Sequence, residues 1–308
     1  MKLILTDRKL SYLNKSHDVE VKLIKPKDLA SYSGNADVVA IAGTRAMAAE
    51  AEGLDFKGLK FFQLTSAGYD NVPLEKYRQR GIDVSNAGDV YSVPIAETVV
   101  FGVLQIAKKL RKNPNNRRFR FTRGYNLITE IKDKKVLIMG VGNIGTAVAK
   151  RLAGFEAVVD GYDPYAKEKP CISKFIRNKG DLLSFVGEYD YIISTLPDNS
   201  DTQGMINRTL LDKMKKTAVF VNVGRMAVVN RSDLFAALKT SSIGGAVLDM
   251  FEFFPNPVTN PFRRLRNVIV LPGVAAISKE VKVRLDSLVC GNLNRVIAGD
   301  VPENIINP

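Results

Sequence analysis

The sequence predicts an α/β protein of two lobes, each built on a doubly wound parallel sheet. Three observations carry this expectation. The chain has 308 residues, which at roughly 150 residues per domain is length for about two domains. Its apolar residues fall into short runs that alternate with helical patterns, the mark of strands joined by helical crossovers. One such run leads directly into a glycine-rich turn, Gly140-Val141-Gly142-Asn143-Ile144-Gly145, followed by a helix pattern. A hydrophobic share of 45% against 25% charged residues leaves ample material for buried cores.

In chain order, Leu3-Ile4-Leu5, Val19-Glu20-Val21 and Asp37-Val38-Val39-Ala40-Ile41 read as strands. Lys60-Phe61-Phe62-Gln63-Leu64 and Ile82-Asp83-Val84 continue the series, a small α/β unit within about the first hundred residues. A long helix follows from Pro94 to about Leu110. Ser92 can cap it, Pro94 suits its first turn, and Lys108 and Lys109 favour its carboxyl end. The segment Lys108 to Arg123 (KKLRKNPNNRRFRFTR) holds eight Lys/Arg and no acid, and reads as a solvated linker. A second strand series runs through Lys135–Met139, Ala157–Tyr162, Tyr189–Ser194, Ala218–Asn222, Gly245–Leu248 and Val268–Leu271, with a clearer βαβ rhythm.

Composition excludes several chemistries. There is one histidine, His17, with two cysteines and no tryptophan. A His-rich metal site is ruled out, and any imidazole catalysis would have to use His17. Cys171 and Cys290 lie far apart without CxxC spacing, so no zinc site or disulfide framework is expected. The N-terminal apolar run reaches Asp7 too soon for a signal-peptide core, and Val93 to Ala107 carries Glu97 and is too short to span a bilayer. The expectation is a cytoplasmic protein with no membrane partner. The net charge of +13 fits attraction of small anions. A nucleic-acid reading rests on charge alone, with no recognition motif beside it, and is set aside.

The glycine turn carries the most specific signal. Between the strand Val136-Leu137-Ile138-Met139 and a helix with Val148 and Leu152 on one face, it has the logic of a dinucleotide-binding fingerprint. Gly140 permits the tight turn, Gly142 lets the backbone approach a pyrophosphate, and Gly145 allows close helix–strand packing. The helix N-terminus offers free N–H groups to the phosphates. Asp163, eighteen residues beyond Gly145, can accept both ribose hydroxyls and repel a 2′-phosphate. This favours NAD over NADP, although Lys167 and Lys169 keep NADP open. A Walker-type loop is excluded, because the chain has no Gly-Lys dipeptide.

With these residues placed, the chain resembles the D-isomer-specific 2-hydroxyacid dehydrogenase family, in the manner of glycerate and phosphoglycerate dehydrogenases. The match is carried by Thr65-Ser66-Ala67-Gly68-Tyr69-Asp70-Asn71, Asn86 through Glu97, the glycine turn with Asp163, and Leu196-Pro197 through Asn207. Ala218 through Arg225 and Ala246-Val247-Leu248-Asp249-Met250-Phe251 extend it. The resemblance implies two Rossmann-like lobes with the active site in the cleft between them. Residues 1–92 and 273–308 would form the substrate lobe and 93–272 the NAD-binding lobe, in a homodimer built around the helix from Pro94. It implies NAD contacts from Gly140, Gly142, Asn143, Ile144, Gly145, Asp163, Leu196, Pro197, Val223, Gly224 and Asp249. Ser66, Ala67, Gly68 and Tyr69 would cradle the carboxylate of a small 2-hydroxy or 2-oxo acid.

The reaction so implied is hydride transfer between the acid's C2 and the nicotinamide, served by an arginine, a histidine and a glutamate. Arg225 matches the arginine, and a guanidinium suits the task because it forks around a carboxylate and stays charged. The other two positions depart from the pattern. Phe254 stands where the glutamate belongs and Gly273 where the histidine belongs. His17 lies in a polar early segment and reads as a surface residue. The two losses are consistent with each other, since a glutamate without its imidazole would be a poorly paired, partly buried charge. Tyr69, Lys279, Glu252 or an ordered water could supply the proton, although a phenol of ordinary pKa about 10 is a poor base. Two readings stay open: a slow or altered oxidoreductase, and a catalytically quiet NAD(H)-binding protein acting as sensor or assembly partner.

Overall fold

Parallel strands buried on both faces read as unbroken apolar runs, and such runs form two sheets. The computed structural model describes residues 2–13, 18–109, 128–249 and 259–306. The chain divides into two units, Met1–Tyr91 with Ser278–Pro308, and Ser92–Ile277.

The first unit holds β1 (Lys2–Thr6), β2 (Val19–Leu23), β3 (Val38–Gly43), β4 (Phe61–Leu64) and β5 (Asp83–Ser85). All pair in parallel, in the order β2-β1-β3-β4-β5. This is the 2-1-3-4-5 order of a doubly wound sheet. The alternating polar residues of β2 suit its edge position, whereas β4 is buried throughout. Helix α1 (Arg45–Glu52) is capped by Thr44, whose Oγ1 accepts the Met47 N–H. With α2 (Leu74–Gln79) it covers one sheet face, where Met47, Ala51 and Tyr77 pack on Leu5, Ile41, Phe62 and Leu64.

The second unit opens with α3 (Ser92–Ala107) and continues through β6 (Lys135–Met139), α4 (Asn143–Ala153), β7 (Val158–Tyr162), β8 (Phe175–Ile176) and α5 (Lys179–Phe185). Then follow β9 (Tyr191–Ser194), α6 (Arg208–Leu211), β10 (Val219–Asn222), α7 (Arg231–Lys239), β11 (Gly245–Asp249) and β12 (Val268–Leu271). The sheet order is β12-β11-β10-β9-β6-β7-β8, all parallel. The strand order therefore reverses between β6 and β9, and ligands of such sheets bind outside the carboxyl ends at that reversal. Helix α3 lies close on the sheet at Gly102, where a Cβ would come within 2.7 Å of Val247 Cγ1.

Two local expectations are corrected. Ser92 does not cap α3 but begins it, and its hydroxyl is buried with no partner among the described residues. The helix ends at Ala107 rather than Leu110, with Lys109 already left-handed at φ +55°. Strand β8 was not foreseen, because a two-residue strand is too short to show a period.

The chain then returns to the first unit as α8 (Lys279–Ala298), capped by Ser278 and closed by Gly299 at φ +87°. Its Val281, Leu285, Val289 and Leu293 recur at helical spacing and pack on Ile4, Ala40, Ala42 and Phe61, the second face of that sheet. Each such side chain contributes about 1.5–3 kcal/mol when fully buried. Beneath it the buried Asn292 Nδ2 donates to Gln63 Oε1 at 2.7 Å, and Ser85 bridges to Ile305. Among the described residues no helix is long and apolar enough to cross a membrane.

Candidate functional site

The glycine turn lies at the reversal, after β6. Gly140 has φ +90°, a conformation a side chain resists, and a Cβ there would press on the Thr195 and Leu196 backbone at 3.2–3.3 Å. A Cβ at Gly145 would collide with Gly140 O, so the start of α4 is held close to the strand end. Gly142 is different: a Cβ there would meet nothing within 4 Å. Helices α5, α6 and α7 are capped by the side chains of Asn178, Asn207 and Asn230. Helix α4 starts from Gly142 with no side-chain cap. The start of α4 is thus uncapped by any side chain and exposed at Gly142 and Asn143, with the positive end of the helix dipole behind it. Those features fit a dinucleotide's pyrophosphate.

The carboxylate of Asp163, just after β7, is already engaged. Its Oδ2 accepts the Val141 N–H at 2.8 Å, and its Oδ1 accepts the N–H groups of Tyr165 and Ala166 at 2.9 Å each. A carboxylate has about four acceptor positions, so these amides leave room for one hydroxyl rather than two. Arg177 supports the same turn, donating to Asp163 O and Ala166 O and pairing with Glu168 at 2.9 Å.

Across the reversal, Thr195 Oγ1 donates to Gly140 O at 2.6 Å and ties the β9 end to the glycine turn. Leu196 is buried and Pro197 exposed. Ser194 O accepts the N–H groups of Val223 and Gly224, at 3.1 and 3.2 Å. Gly224 is pressed so near that a Cβ would lie 2.7 Å from Leu196 O. Arg225 follows in extended conformation, half-buried, at the entrance of a 3₁₀ turn over Met226–Val228. Beside it, Asn222 is buried and donates through Nδ2 to Arg225 O.

At the end of β11, Asp249 accepts the N–H groups of Val274 at 3.0 Å and Ala275 at 3.2 Å. Burial pushes its carboxyl above the ordinary range, and those amides oppose the shift. Gly273, where the family's histidine was expected, sits at φ +73°. His17, Glu252, Phe254 and Leu110–Leu127 lie outside the described residues.

In the first unit, Thr65, Ser66, Asp70 and Asn71 line a cavity of about 560 Å³ with Thr44, Arg45, Ala46 and Ala49, and of the expected carboxylate cradle only Ser66 is in that lining. Ser66 Oγ donates to Gly68 O at 2.7 Å, Asn86 Nδ2 to Ala67 O at 2.8 Å, and Ala87 N to Ser66 O at 3.0 Å. Tyr69 is 47% exposed at the loop's edge. Arg45 pairs with Asp70 at 2.6 Å on the cavity wall. Sequence reasoning missed Arg45, Thr195 and Asn222. Thr195 stands beside a matched segment and Asn222 within one, so position in those segments was the available signal. Arg45 meets its partner 25 residues away and leaves no local signature. Among the described residues no cluster of three or more His, Cys, Asp or Glu is placed to hold a metal.

The chain is similar to proteins of known family and structure. Residues 99–275 match the family model described as D-isomer specific 2-hydroxyacid dehydrogenase, NAD binding domain. The chain is 32% identical over 248 residues to glyoxylate/hydroxypyruvate reductase B of Yersinia pestis bv. Antiqua (strain Nepal516), covering 79% of this chain and 76% of that protein. Among solved structures, the TT0316 protein of Thermus thermophilus superposes with a TM-score of 0.78 at 26% identity, over 99% of both chains. An NADPH-dependent glyoxylate/hydroxypyruvate reductase of Sinorhizobium meliloti, solved with NADP and malonate, shares the fold with a TM-score of 0.77 at 24% identity, over 99% of this chain and 96% of that one.

Proposed function

The chain belongs to the D-isomer specific 2-hydroxyacid dehydrogenase family, and on that premise we propose that it binds NAD(H) and slowly reduces a small 2-oxo acid of the glyoxylate or hydroxypyruvate class. The observation that carries this reading is the uncapped start of α4 over the open Gly142, with Arg225 held on the neighbouring loop after β10. When bound, the nicotinamide supplies the hydride. The chain's own residues do the rest. The amides of Asn143, Ile144 and Gly145 hold the pyrophosphate, and the remaining acceptor position of Asp163 takes a ribose hydroxyl and disfavours a 2′-phosphate. Thr195 and the Val223-Gly224 amides keep the strand ends in register around the cofactor. Arg225 forks around the acid's carboxylate and orients its C2 carbonyl. Reduction also takes up one proton, which comes from ordered water or Tyr69 in the absence of an imidazole at position 273.

General acid–base catalysis is worth roughly 10²–10⁴-fold, so turnover is expected to be lower than in a His/Glu enzyme by about that factor. The test is oxidation of NADH, and of NADPH in parallel, with glyoxylate and hydroxypyruvate, against an Arg225→Ala control. Activity no greater than that of the control would overturn the reading. NADPH preferred over NADH would overturn its cofactor assignment.

A second reading, a quiet NAD(H)-binding protein, is favoured by Gly273, whose left-handed backbone suits glycine and strains any imidazole-bearing residue. A Phe254→Glu, Gly273→His double variant separates the two. A gain of about 10² or more in rate over a parent with no measurable turnover supports quiescence, and measurable parent turnover counts against it. The family reading also carries a homodimer through α3, which exposes Val93 and Phe101.

A further inference from the structure

Asn222 ends β10 only three residues before Arg225, and it is 1% exposed. Its Nδ2 donates to Arg225 O at 3.4 Å and lies 3.3 Å from Met226 Sδ. Its Oδ1 is buried with no hydrogen-bond partner among the described residues. The Oγ of Ser194, its register partner on β9, is buried in the same condition. A buried polar oxygen left unpaired is unfavourable, and an aliphatic residue of similar size would avoid that cost. The amide's donor contacts go to the Arg225 carbonyl and to the Met226 thioether, both on the segment that leaves the strand.

Arg225 O accepts from Asn222 Nδ2 at the strand end and from Val228 N of the 3₁₀ turn at 3.3 Å. Together they fix the plane of the Arg225–Met226 peptide. On the other side, Ser194 O holds the Val223 and Gly224 amides, and Gly224 abuts Leu196. The backbone of Arg225 is thus clamped from both sides, and Asn222 contributes its side chain to the clamp. A guanidinium fork matches a carboxylate only over a narrow range of angles, so backbone rotation at residue 225 would degrade the match.

We propose that Asn222 is a positioning residue for Arg225: it sets the backbone from which the guanidinium reaches the substrate carboxylate, without touching the substrate. This rests on the reading of Arg225 as carboxylate anchor given above. A merely structural role would weaken cofactor and acid binding together. A positioning role separates them, because the glycine turn that holds the cofactor does not depend on the Asn222 amide.

The test uses oxalate, a stable two-carbon acid, bound to the NADH-loaded protein and measured by calorimetry, with NADH affinity measured separately. Arg225→Ala is the reference. Asn222→Leu removes the donor at similar volume, and Asn222→Ser leaves space that water can fill if the leucine variant does not fold. Both are expected to weaken oxalate by about tenfold, the worth of one such contact, with NADH affinity unchanged. Where glyoxylate turnover is measurable, the loss falls on KM more than on kcat. Oxalate binding as in the parent by either folded variant, while Arg225→Ala loses it, overturns the role of Asn222 and leaves the Arg225 reading intact. Oxalate binding unaffected by Arg225→Ala overturns that reading itself. Equal losses of NADH and oxalate affinity in both Asn222 variants overturn positioning in favour of a structural role.

Discussion

The carboxylate of Asp163 closes on the glycine turn it follows in sequence, accepting the Val141 N–H at 2.8 Å while two more amides bind its other oxygen. It therefore braces the turn as well as facing the expected ribose. Asp163→Ala is expected to leave these amides without their acceptor and to lower stability by about 1–3 kcal/mol, read from urea unfolding. The same change removes the negative charge that disfavours a 2′-phosphate, so the ratio of NADPH to NADH affinity should rise. A variant as stable as the parent would show that the turn does not depend on this bracing.

Gly273 carries a backbone constraint that can be measured without activity. At φ +73° a residue with a Cβ is disfavoured by about 1–2 kcal/mol. Gly273→Ala should therefore destabilise by about that amount, and Gly273→His by no less. An alanine variant of unchanged stability would mean that the segment readily adopts another backbone, and the strain argument would fall.

Asp249 makes a prediction in pH. Burial raises its carboxyl pKa in the folded state, so the folded protein holds that proton more tightly than the unfolded chain. Stability must then decline as pH rises from roughly 4 through the folded pKa, and level off above it. Asn at this position does not titrate. The stability of the parent relative to Asp249→Asn should be greatest at the acid end of this window and fall as pH rises. A difference that is flat, or that grows with pH, would contradict the assigned direction.

The proposed homodimer rests on α3, where Phe101 is 54% exposed while Val99 and Val103 on the same helix are buried. Exposed Val93 and Phe101 on a helix that also buries Val99 and Val103 are natural partner contacts. Light scattering after size exclusion is expected to give a dimer for the parent and a monomer for Phe101→Asp. A monomeric parent removes the proposal.

What could be read from the chain alone was what is local. The strands of the second sheet are contiguous apolar runs because both their faces are covered, and the glycine turn carries its spacing within six residues. Arg225 and the position of Gly273 were reached through the family resemblance alone, and each lies just beyond a strand. Relations between distant residues were not. Arg45 with Asp70 and Gln63 with Asn292 join polar side chains 25 and 229 residues apart, and composition carries no trace of such pairs. Ser92 failed for a related reason. A serine before an apolar helix is an ordinary cap, but here its hydroxyl is buried, and only tertiary packing decides that. The single acceptor position left on Asp163 likewise follows from how its own turn folds back.

The path of the chain has a consequence for how it is made. Residues Ser92–Ile277 form a contiguous unit, so all of its strands have been synthesised before α8 begins. The first sheet is in the opposite position. One of its faces waits for Val281, Leu285, Val289 and Leu293, and its strand β5 waits for Ile305. On the ribosome the earliest residues are thus the last to be finished. Their apolar face lacks its α8 cover while the middle of the chain emerges, and exposed apolar surface at that stage favours aggregation.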